Sequence, residues 1–248
     1  MKKISIITIV YNNKQGLENT INSVISQTYE DKEYLVIDGG STDGSVDVIN
    51  EYSDKIDYWV SEKDKGIYDA MNKGLKAATG EWVVFMNSSD VFVDEHVLSN
   101  IFNRKYDESI SFIFSDYYED RGDHSDYRTS DATIGKFMHQ SIIYKRKLHQ
   151  QYGYYLVTKP LIISDFLFLA SVPVSSMYKT DVVISKIIAG GISQQGMWAL
   201  SQMVCGQHIF YGKPIPSVIY QLCKYYIIEK APKGFKNLIK KIGNERTR

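Results

Sequence analysis

The amino-acid sequence predicts an α/β protein in which helices cover both faces of a mostly parallel sheet. Three observations support this fold class. Over the first 90 residues, short apolar stretches rich in β-branched residues alternate with segments whose apolar residues recur at helical spacing. This alternation is the order expected of parallel strands joined by helical crossovers. The chain has 248 residues, 44% of them hydrophobic, which is enough to bury a large core, and it has no internal repeat.

Four strands and three helices are predicted in this region. The first strand, ISIITIV at residues 4–10, is almost continuously apolar, as expected of a parallel strand buried on both faces. The next strands are EYLVID at 33–38, IDYWVSE at 56–62 and WVVFM at 82–86. Helices are predicted between them because apolar residues repeat three or four positions apart. These residues are Leu17, Ile21, Val24 and Ile25, then Val46, Ile49 and Tyr52, then Ile67, Met71, Leu75 and Ala78.

The second half of the chain has a weaker pattern. SFIFSDYYED at 111–120 predicts a strand that ends in acidic residues, and 123–138 is expected to be extended chain or loop. An apolar run at 162–170 contains one acid, Asp165, and a helix is expected from GGIS at 190–193 to about residue 209. We therefore expect one domain over residues 1–213, with halves at 1–100 and 101–213, and a basic helical extension at 214–248.

Charge, cysteine content and hydropathy argue against several classes of protein. The formal net charge is zero, so the chain lacks the positive field typical of nucleic-acid-binding proteins, and we expect no nucleic-acid partner. Cys205 and Cys223 lie 18 residues apart with no metal-ligand spacing around them, which fits a reducing compartment. The N-terminal apolar run fits a buried strand better than a signal peptide, and no stretch is long enough to span a bilayer. We expect a soluble, cytoplasmic protein, whose oligomeric state the sequence does not determine.

The C-terminal residues differ in charge from the rest of the chain. Residues 224–248 contain six Lys and two Arg against two Glu. Phe235, Leu238, Ile239 and Ile242 recur at helical spacing among these lysines. A basic amphipathic helix of this kind is typical of peripheral contact with an anionic membrane surface. A helix packed on the domain with its lysines in solvent is equally compatible with the pattern.

Each of the four predicted strands ends in polar residues. The carboxyl ends of parallel strands lie at one edge of the sheet, which is where α/β proteins bind their ligands. Each set alone also fits a turn or a helix cap, but their coincidence at one edge favours a binding site. The sets are Thr8, Tyr11 and Asn12, then Asp38 to Ser41, then Glu62, Asp64 and Lys65, then Asn87 to Asp90.

Six motifs in this order resemble those of the family 2 glycosyltransferases of GT-A fold, in particular bacterial enzymes that build surface polysaccharides. The motifs are SIITIVYNN, VIDGGSTDGS, SEKDKGIYDAMNKGLKAATGEWVVFMNSSD, HQSIIY, SDFLFL and GGIS. The resemblance covers about residues 3–195 and is most specific in the first 90. It implies a GT-A domain with a Rossmann-like nucleotide-sugar-binding half at 1–100 and an acceptor-binding half at 101–213. It also implies inverting transfer of a sugar from a nucleotide sugar, which we expect to be UDP-linked, to a hydroxyl of a glycan or lipid-linked acceptor.

The resemblance assigns the donor to the ends of the first strands and to the third helix. Asp38 matches an acid that accepts a hydrogen bond from the base, with an Asx-turn as a compatible alternative. His139 and Gln140 match an HQ motif whose histidine contacts metal, diphosphate or acceptor, with a structural role as the alternative. Asn72 and Lys73 are expected to point away from the buried face of their helix. The residues expected to bind the donor are Thr8, Val10, Tyr11, Asn12, Asp38, Gly39, Gly40, Ser41, Asp64, Tyr68, Asn72, Lys73, Asn87, Ser88, Ser89, His139 and Gln140.

The resemblance assigns the chemistry to two carboxylates. Such enzymes usually end the fourth strand in an Asp-x-Asp motif that binds Mg or Mn on the diphosphate, but here only Asp90 is acidic. We expect Asp90 to be the metal ligand, with Asn87 and Ser89 as neutral oxygen donors and with weakened affinity. Asp165 matches the base that takes the proton of the acceptor hydroxyl. Asp116 is the rival acid, and a helix cap is the structural alternative for Asp165.

Two other functions are compatible with the sequence. A sugar nucleotidyltransferase also uses an α/β nucleotide site with acidic metal ligands, but VYNNKQGLE lacks the glycine-rich, basic phosphate loop that usually follows the first strand. An inactive nucleotide-sugar-binding module is compatible with the replacement of acids at positions 87 and 89.

Overall fold

The computed structural model describes residues 3–158, 161–190 and 196–230. The chain divides into two compact units, Met1–Ala189 and Gly190–Arg248. The boundary predicted between residues 213 and 214 falls inside the second unit, in the short connection between its two described helices. That boundary, and the division of the preceding domain into functional halves, remain predictions.

As far as residue 85, the first unit alternates strands and helices in the predicted order. Its described strands are β1 (Ile4–Val10), β2 (Lys32–Asp38), β3 (Tyr58–Ser61), β4 (Trp82–Phe85), β5 (Val91–Phe92), β6 (Phe112–Phe114), β7 (Tyr117–Asp120), β8 (Ser125–Arg128), β9 (Ile142–Lys145), β10 (Met177–Lys179) and β11 (Ser185–Ile188). Its described helices are α1 (Lys14–Ile25), α2 (Ser45–Glu51), α3 (Ile67–Ala77), α4 (Val97–Phe102), α5 (Leu148–Tyr152) and α6 (Ser164–Ser171).

Seven strands form the central sheet, in the order β10-β6-β9-β4-β1-β2-β3. The first four strands of the chain pair in parallel, and β9 runs antiparallel to both β4 and β6. The predicted mostly parallel sheet is therefore confirmed. Because β2 lies on one side of β1 and β4 on the other, the chain changes direction across the sheet at β1. A crevice for ligands is expected at such a switch point.

Both faces of the sheet are covered. All seven residues of β1 are buried. Ile4 and Ile6 belong to a cluster that includes Leu17 of α1, whereas Ile7 and Ile9 pack in a second cluster with Met71 of α3. Burial of each such side chain contributes on the order of 2 kcal/mol. The core therefore fixes the strand ends from two sides.

The second half of this unit corrects one predicted strand. SFIFSDYYED does not form a single strand, because β6 pairs within the central sheet and β7 belongs to a separate sheet of order β5-β11-β7-β8. The break falls at Ser115 and Asp116, where the Ser115 hydroxyl donates to the Asp116 carbonyl at 2.6 Å. Part of the stretch predicted to be extended chain or loop, Ser125–Arg128, is the extended strand β8 and pairs antiparallel with β7.

The described part of the second unit consists of α7 (Gly196–Tyr211) and α8 (Ile215–Lys230). The helix predicted to run to about residue 209 thus ends two residues later, and α8 continues into the predicted helical extension. Cys205 and Cys223 are free and exposed. No helix within the described ranges is long and apolar enough to cross a membrane. The predicted amphipathic stripe at Phe235, Leu238, Ile239 and Ile242 lies outside the described residues.

Candidate active site

The loops that follow β1, β2 and β4 are tied together by hydrogen bonds. The backbone amide of Asn12 donates to the Ser41 hydroxyl at 2.7 Å. The Asn13 side-chain amide donates to the hydroxyls of Ser88 and Ser89, at 3.1 and 2.9 Å. The predicted convergence of these strand ends is thus present in the fold. Asn13 was not among the predicted site residues, although its place at the N-cap of α1 could have pointed to it.

Two residues of these loops have unfavourable backbone conformations. Asn12 has φ of 46° and Ser89 has φ of 85°, the only positive values at non-glycine residues in the described chain. The Ser89 loop also lies against α1 at Gly16, where an added Cβ atom would be 2.2 Å from Ser89 Oγ. Strain of this kind is concentrated at functional sites in proteins. Because Gly16 has no side chain, the Ser89 loop can approach α1 this closely.

Asp38 is fully buried at the end of β2 and its carboxylate is engaged by protein donors. Its Oδ2 accepts hydrogen bonds from the amides of Gly40 and Ser41, at 3.1 and 3.0 Å, and from the Ser61 hydroxyl at 2.6 Å. Its Oδ1 accepts a hydrogen bond from the Ser41 hydroxyl. Asp38 therefore shapes the loop as the Asx-turn alternative predicted, and its contact with a nucleobase remains a prediction.

An exposed aromatic ring and a carboxylate both lie close to Gly39. Tyr11 is 67% exposed, and a Cβ atom at Gly39 would be 3.2 Å from its ring and 3.0 Å from Asp64 Oδ2. Burial raises the pKa of Asp64 even though Lys73 donates to its Oδ1 at 2.5 Å. Lys73 also pairs with Glu62 at 2.8 Å. Because glycine has no side chain, the Tyr11 ring and the Asp64 carboxylate can both approach it this closely, and the exposed ring offers a surface on which a planar group can stack.

Three predicted donor-binding residues are buried in the fold. Thr8 is buried, and its hydroxyl donates to the Met86 carbonyl at 2.7 Å. Val10 is also buried at the end of β1. The expected outward orientation of Asn72 is wrong: its buried side chain donates to the Tyr155 carbonyl at 2.8 Å and accepts from the Tyr155 amide at 3.0 Å. Asn72 thus holds the chain at residue 155 against α3.

Asp90 has a buried carboxylate, and few hydrogen bonds from the protein offset the cost of burying its charge. It is 8% exposed, and its Oδ1 accepts from the Ile188 amide at 3.3 Å. Burial raises its pKa to about 7, against smaller lowering effects of the Ile188 amide and the Gln140 side chain. Asp90 does not cap a helix, because α4 begins at Val97 after the intervening strand β5.

The surroundings of Asp90 fit a divalent cation. Asn87 Oδ1 is buried and has no hydrogen-bond partner in the described part of the chain. Thr20 fixes the loop between them, accepting from the Ser89 amide at 3.0 Å and donating to the Asp90 carbonyl at 2.8 Å. Within the described ranges, no three His, Cys, Asp or Glu side chains converge as a metal cluster. The site is thus one carboxylate plus neutral oxygens, a set that suits an ion shared with phosphate.

Asp165 lies in the first turn of α6 and is half-buried. The Tyr68 hydroxyl donates to its Oδ1 at 2.7 Å. Burial, followed by the charge of Asp165, raises the pKa of Tyr68 far above its usual range, so the tyrosine stays a donor. No other donor contacts the carboxylate among the residues described, so its second oxygen can accept a proton.

The rival acid, Asp116, is engaged differently. Its Oδ1 pairs with Lys179 Nζ at 2.7 Å and accepts from the Ser130 amide at 2.7 Å, and its Oδ2 accepts from the Tyr127 hydroxyl at 2.9 Å. Burial acts to raise its pKa, but these partners leave it lowered. A carboxylate stabilised in its charged form is a poor base. The geometry therefore favours Asp165.

The two residues of the HQ motif have different surroundings. Gln140 lies close enough to Asp90 to lower the pKa of that carboxyl, against the larger effect of burial. His139 is buried, stacks on Phe85 with ring centroids 5.0 Å apart, and shares a hydrogen bond of 3.1 Å with the Tyr155 hydroxyl. Sequence reasoning missed Tyr155, because an isolated aromatic residue in an irregular segment carries no signal that separates core packing from a site.

Known proteins share sequence with this chain. Residues 5–162 match the sequence profile described as glycosyl transferase family 2. The chain is 35% identical over 119 residues to an Escherichia coli protein named UDP-Glc:alpha-D-GlcNAc-diphosphoundecaprenol beta-1,3-glucosyltransferase WfaP, covering 48% of this chain and 47% of that one. The alignments with the first curated relatives span less than half the length of those proteins.

Solved structures share the fold. The S. aureus TarS 1-349 complex with UDP-GlcNAc superposes with a TM-score of 0.67 at 15% identity, covering 94% of this chain and 77% of that one. The mannosyltransferase PcManGT from Pyrobaculum calidifontis, solved with GDP-Man and Mn²⁺, gives a TM-score of 0.69 at 14% identity, covering 100% of this chain and 81% of that one. The predicted GT-A fold is thereby confirmed. With more than half of its length matched by the family profile, the chain belongs to glycosyl transferase family 2.

Proposed function

We propose that this chain is an inverting glycosyltransferase that moves a sugar from a UDP-linked donor to a hydroxyl of a glycan or lipid-linked acceptor in surface-polysaccharide synthesis. One observation carries the proposal: the buried, weakly compensated carboxylate of Asp90 and the exposed ring of Tyr11 beside Gly39 lie in neighbouring loops at one sheet edge. A metal-bound diphosphate fits the carboxylate, and a nucleobase fits the ring.

The donor nucleotide would lie across the ends of β1, β2 and β4. The base would stack on Tyr11 over Gly39, with Asp64 facing the nucleoside. The ion pairs of Lys73 with Asp64 and Glu62 keep the Asp64 carboxylate in place. Support for uridine comes from the E. coli relative, which is named for a UDP-glucose donor, and from the TarS neighbour, which was solved with UDP-GlcNAc.

The metal site would consist of Asp90 and the unpartnered Asn87 Oδ1, with Ser89 as a further oxygen. A bound Mg or Mn ion would neutralise the charge that develops on the leaving diphosphate. Only the ionised carboxylate can hold a cation, so the pKa of about 7 at Asp90 ties metal binding to pH. Gln140, which lies close to this carboxylate, would orient it.

Asp165 would act as the base. Its Oδ1 is held by the Tyr68 hydroxyl, which leaves Oδ2 to take the proton of the acceptor hydroxyl. The acceptor oxygen then forms a bond to the anomeric carbon while the bond from that carbon to the phosphate oxygen breaks, and the electron pair leaves on UDP. Because the attack and the departure occur on opposite faces of the sugar, this single displacement inverts the anomeric centre.

The acceptor side of the proposal includes a membrane surface. The E. coli relative is named for an acceptor on diphosphoundecaprenol, which is a lipid carrier. In α8, Ile219, Tyr220 and Ile227 are exposed, and the same helix carries Lys224 and Lys230. Lysines beside exposed apolar side chains favour an anionic lipid surface. We therefore propose peripheral attachment at the cytoplasmic face, with the basic tail as a second contact.

Substitution of Asp165 by Asn tests the proposal. The variant should bind UDP with Mn²⁺ as tightly as the wild type in calorimetry but should release sugar from nucleotide sugars about 10²- to 10⁴-fold more slowly. Asp116→Asn is the matched control, which should keep its activity because that carboxylate is bound to Lys179.

Three outcomes would contradict the proposal. Full activity of Asp165→Asn would remove the assigned base. Tight UDP binding without turnover of any sugar nucleotide would indicate an inactive binding module. Formation of a nucleotide sugar from UTP and a sugar phosphate would indicate a nucleotidyltransferase.

A further inference from the structure

A chain of hydrogen bonds between buried side chains lies on the face of the sheet that α3 and α6 cover. It runs from the Gly153 carbonyl to His149 Nδ1 at 3.0 Å, from His149 Nε2 to the Tyr144 hydroxyl at 2.9 Å, and from there to the Tyr155 hydroxyl at 3.0 Å. The last link joins the Tyr155 hydroxyl to His139 Nε2 at 3.1 Å. We call these residues the buried hydrogen-bond chain. The mechanism above uses none of its hydroxyls.

The proton positions at the first end follow from the acceptor. A carbonyl oxygen only accepts, so His149 Nδ1 must donate to Gly153. His149 is neutral, because it is 3% exposed, stacks on Phe168 with centroids 4.0 Å apart, and forms no ion pair in the described chain. Burial lowers its pKa to about 4. The Nε2 atom of His149 therefore has no proton and accepts the hydrogen bond of the Tyr144 hydroxyl.

The remaining links then have one possible direction. Each tyrosine hydroxyl has a single proton. Since Tyr144 donates to His149, the Tyr155 hydroxyl must donate to Tyr144. His139 Nε2 must in turn donate to the Tyr155 oxygen. Burial keeps His139 neutral by lowering its pKa. The proton of His139 is thus on Nε2, and its Nδ1 has a bare lone pair.

This lone pair has no partner from the protein. His139 Nδ1 is enclosed and accepts no hydrogen bond from any described residue. A buried acceptor without a donor is costly, and a group that supplies an O–H or N–H proton would remove this cost. Unprotonated phosphate and carboxylate oxygens cannot supply one. A sugar hydroxyl can.

The same face of the sheet places this lone pair near the proposed base. The Tyr155 ring packs on the Tyr68 ring with centroids 5.8 Å apart, and Tyr68 donates to Asp165. The charge of Asp165 also acts on His139, raising its pKa against the larger effect of burial. A ligand group at His139 Nδ1 would therefore lie on the same face of the sheet as Asp165, with Tyr155 and Tyr68 linking the two residues.

We propose that the buried hydrogen-bond chain positions His139 so that its Nδ1 accepts a hydrogen bond from a sugar hydroxyl bound beside Asp165. Tyr144, Tyr155 and His149 are positioning residues in this scheme, and His139 contacts the substrate. The identity of the ligand as a sugar rests on the proposed function, whereas the proton arrangement does not depend on it. The hydroxyl belongs either to the transferred sugar or to the acceptor.

Nitrogen-15 NMR of the histidine rings tests the proton arrangement, with only five histidines to assign. In the wild type, His139 should be protonated at Nε2. In Tyr144→Phe the Tyr155 hydroxyl loses its acceptor and can donate to His139 Nε2, so the His139 proton should move to Nδ1. In Tyr155→Phe, His139 loses its partner and should show both tautomers. Tyr152→Phe removes a hydroxyl outside the chain and should leave the spectrum unchanged.

Two NMR results would overturn the proposal. One is an Nδ1-protonated His139 in the wild type. The other is a His139 spectrum that Tyr144→Phe and Tyr155→Phe both leave unaltered. Because these spectra need no ligand, they decide the proton arrangement even if the chain proves to bind no nucleotide, in which case the proposed function fails separately.

Binding measurements test the hydroxyl contact. With Mn²⁺ present, Tyr144→Phe should leave the affinity for UDP unchanged, because UDP has no transferred sugar. If the hydroxyl belongs to the donor sugar, the affinity for UDP-glucose or UDP-N-acetylglucosamine should fall about tenfold. If it belongs to the acceptor, KM for the acceptor should rise by the same factor with kcat little changed. Weakened binding of UDP with Mn²⁺, or no change in either sugar measurement, would contradict the assignment.

Discussion

Replacement of Asp90 by Asn should stabilise the metal-free protein while abolishing metal binding. The ionised carboxylate is buried, so folding without a cation must desolvate a charge. Its pKa is about 7 in the folded protein, against an ordinary value of 3.8 for an aspartate side chain. The difference of about 3, at about 1.4 kcal/mol for each pKa unit, gives a penalty of roughly 4 kcal/mol above pH 7. Asn keeps a similar shape and has no charge.

The sign of the pH dependence follows from this raised pKa. The folded protein binds the Asp90 proton more tightly than the unfolded chain, so this residue favours folding at low pH and loses its contribution as pH rises through 7. In the presence of chelator, Asp90→Asn should therefore exceed the wild type in free energy of unfolding by up to about 4 kcal/mol at pH 8. The excess should shrink to about 1.5 kcal/mol at pH 5.

Urea unfolding at several pH values, with and without Mn²⁺ and UDP, measures both effects. The wild type should gain stability from the ligands by mass action and Asp90→Asn should gain much less. Asp116→Asn is the control with the opposite sign, because Lys179 stabilises the charged form of Asp116 and the variant should lose stability at pH 8. A less stable Asp90→Asn at pH 8, or an undiminished gain from Mn²⁺, would refute the reasoning.

Two further substitutions test how the site is supported. Gly16→Ala would place a methyl group 2.2 Å from Ser89 Oγ and so displace the loop; calorimetry should show UDP–Mn²⁺ affinity reduced about tenfold or more, whereas Asn19→Ala on the exposed side of α1 should have no effect. Asn72→Ala removes both hydrogen bonds to the Tyr155 backbone and should lower the free energy of unfolding by about 2 kcal/mol in urea titration. A loss below about 0.5 kcal/mol would mean that water replaces the amide.

Periodicity predicted the first half of the fold because each element there is long and its pattern is unambiguous. β1 is apolar along its whole length, and the stripe of α1 repeats from Leu17 to Val24. The prediction of a single strand at 111–120 was wrong because the pattern of apolar residues does not indicate which sheet a strand joins. Only tertiary pairing separates Phe112–Phe114 from Tyr117–Asp120.

The sequence predicted that polar residues meet at one edge of the sheet, but it did not predict the hydrogen bonding and burial of each side chain. Asp38 and Asp90 both follow buried strands and look alike in sequence. In the fold, Asp38 is surrounded by four donors, whereas Asp90 has a distant amide and a glutamine. That difference depends on loops that meet across long separations in the chain, such as Asp90 with Ile188. The spacing of residues within a short stretch of sequence does not predict such contacts.

The candidate ligand-binding groups in this chain therefore differ from the structural polar groups in whether their polar atoms already have hydrogen-bond or ion-pair partners in the protein. They do not differ in residue type. The polar atoms of Asp38, Asn72 and Asp116 are occupied by other parts of the protein, so they hold the fold. Asn87 Oδ1 and His139 Nδ1 are buried without a partner among the described residues, at the same edge as the weakly compensated Asp90. Each of these costs stability in the free protein and each is relieved by a cation or a hydroxyl. Under the proposed function, the costs at Asn87, His139 and Asp90 are retained for the ligand that would bind beside the strained backbone of Ser89.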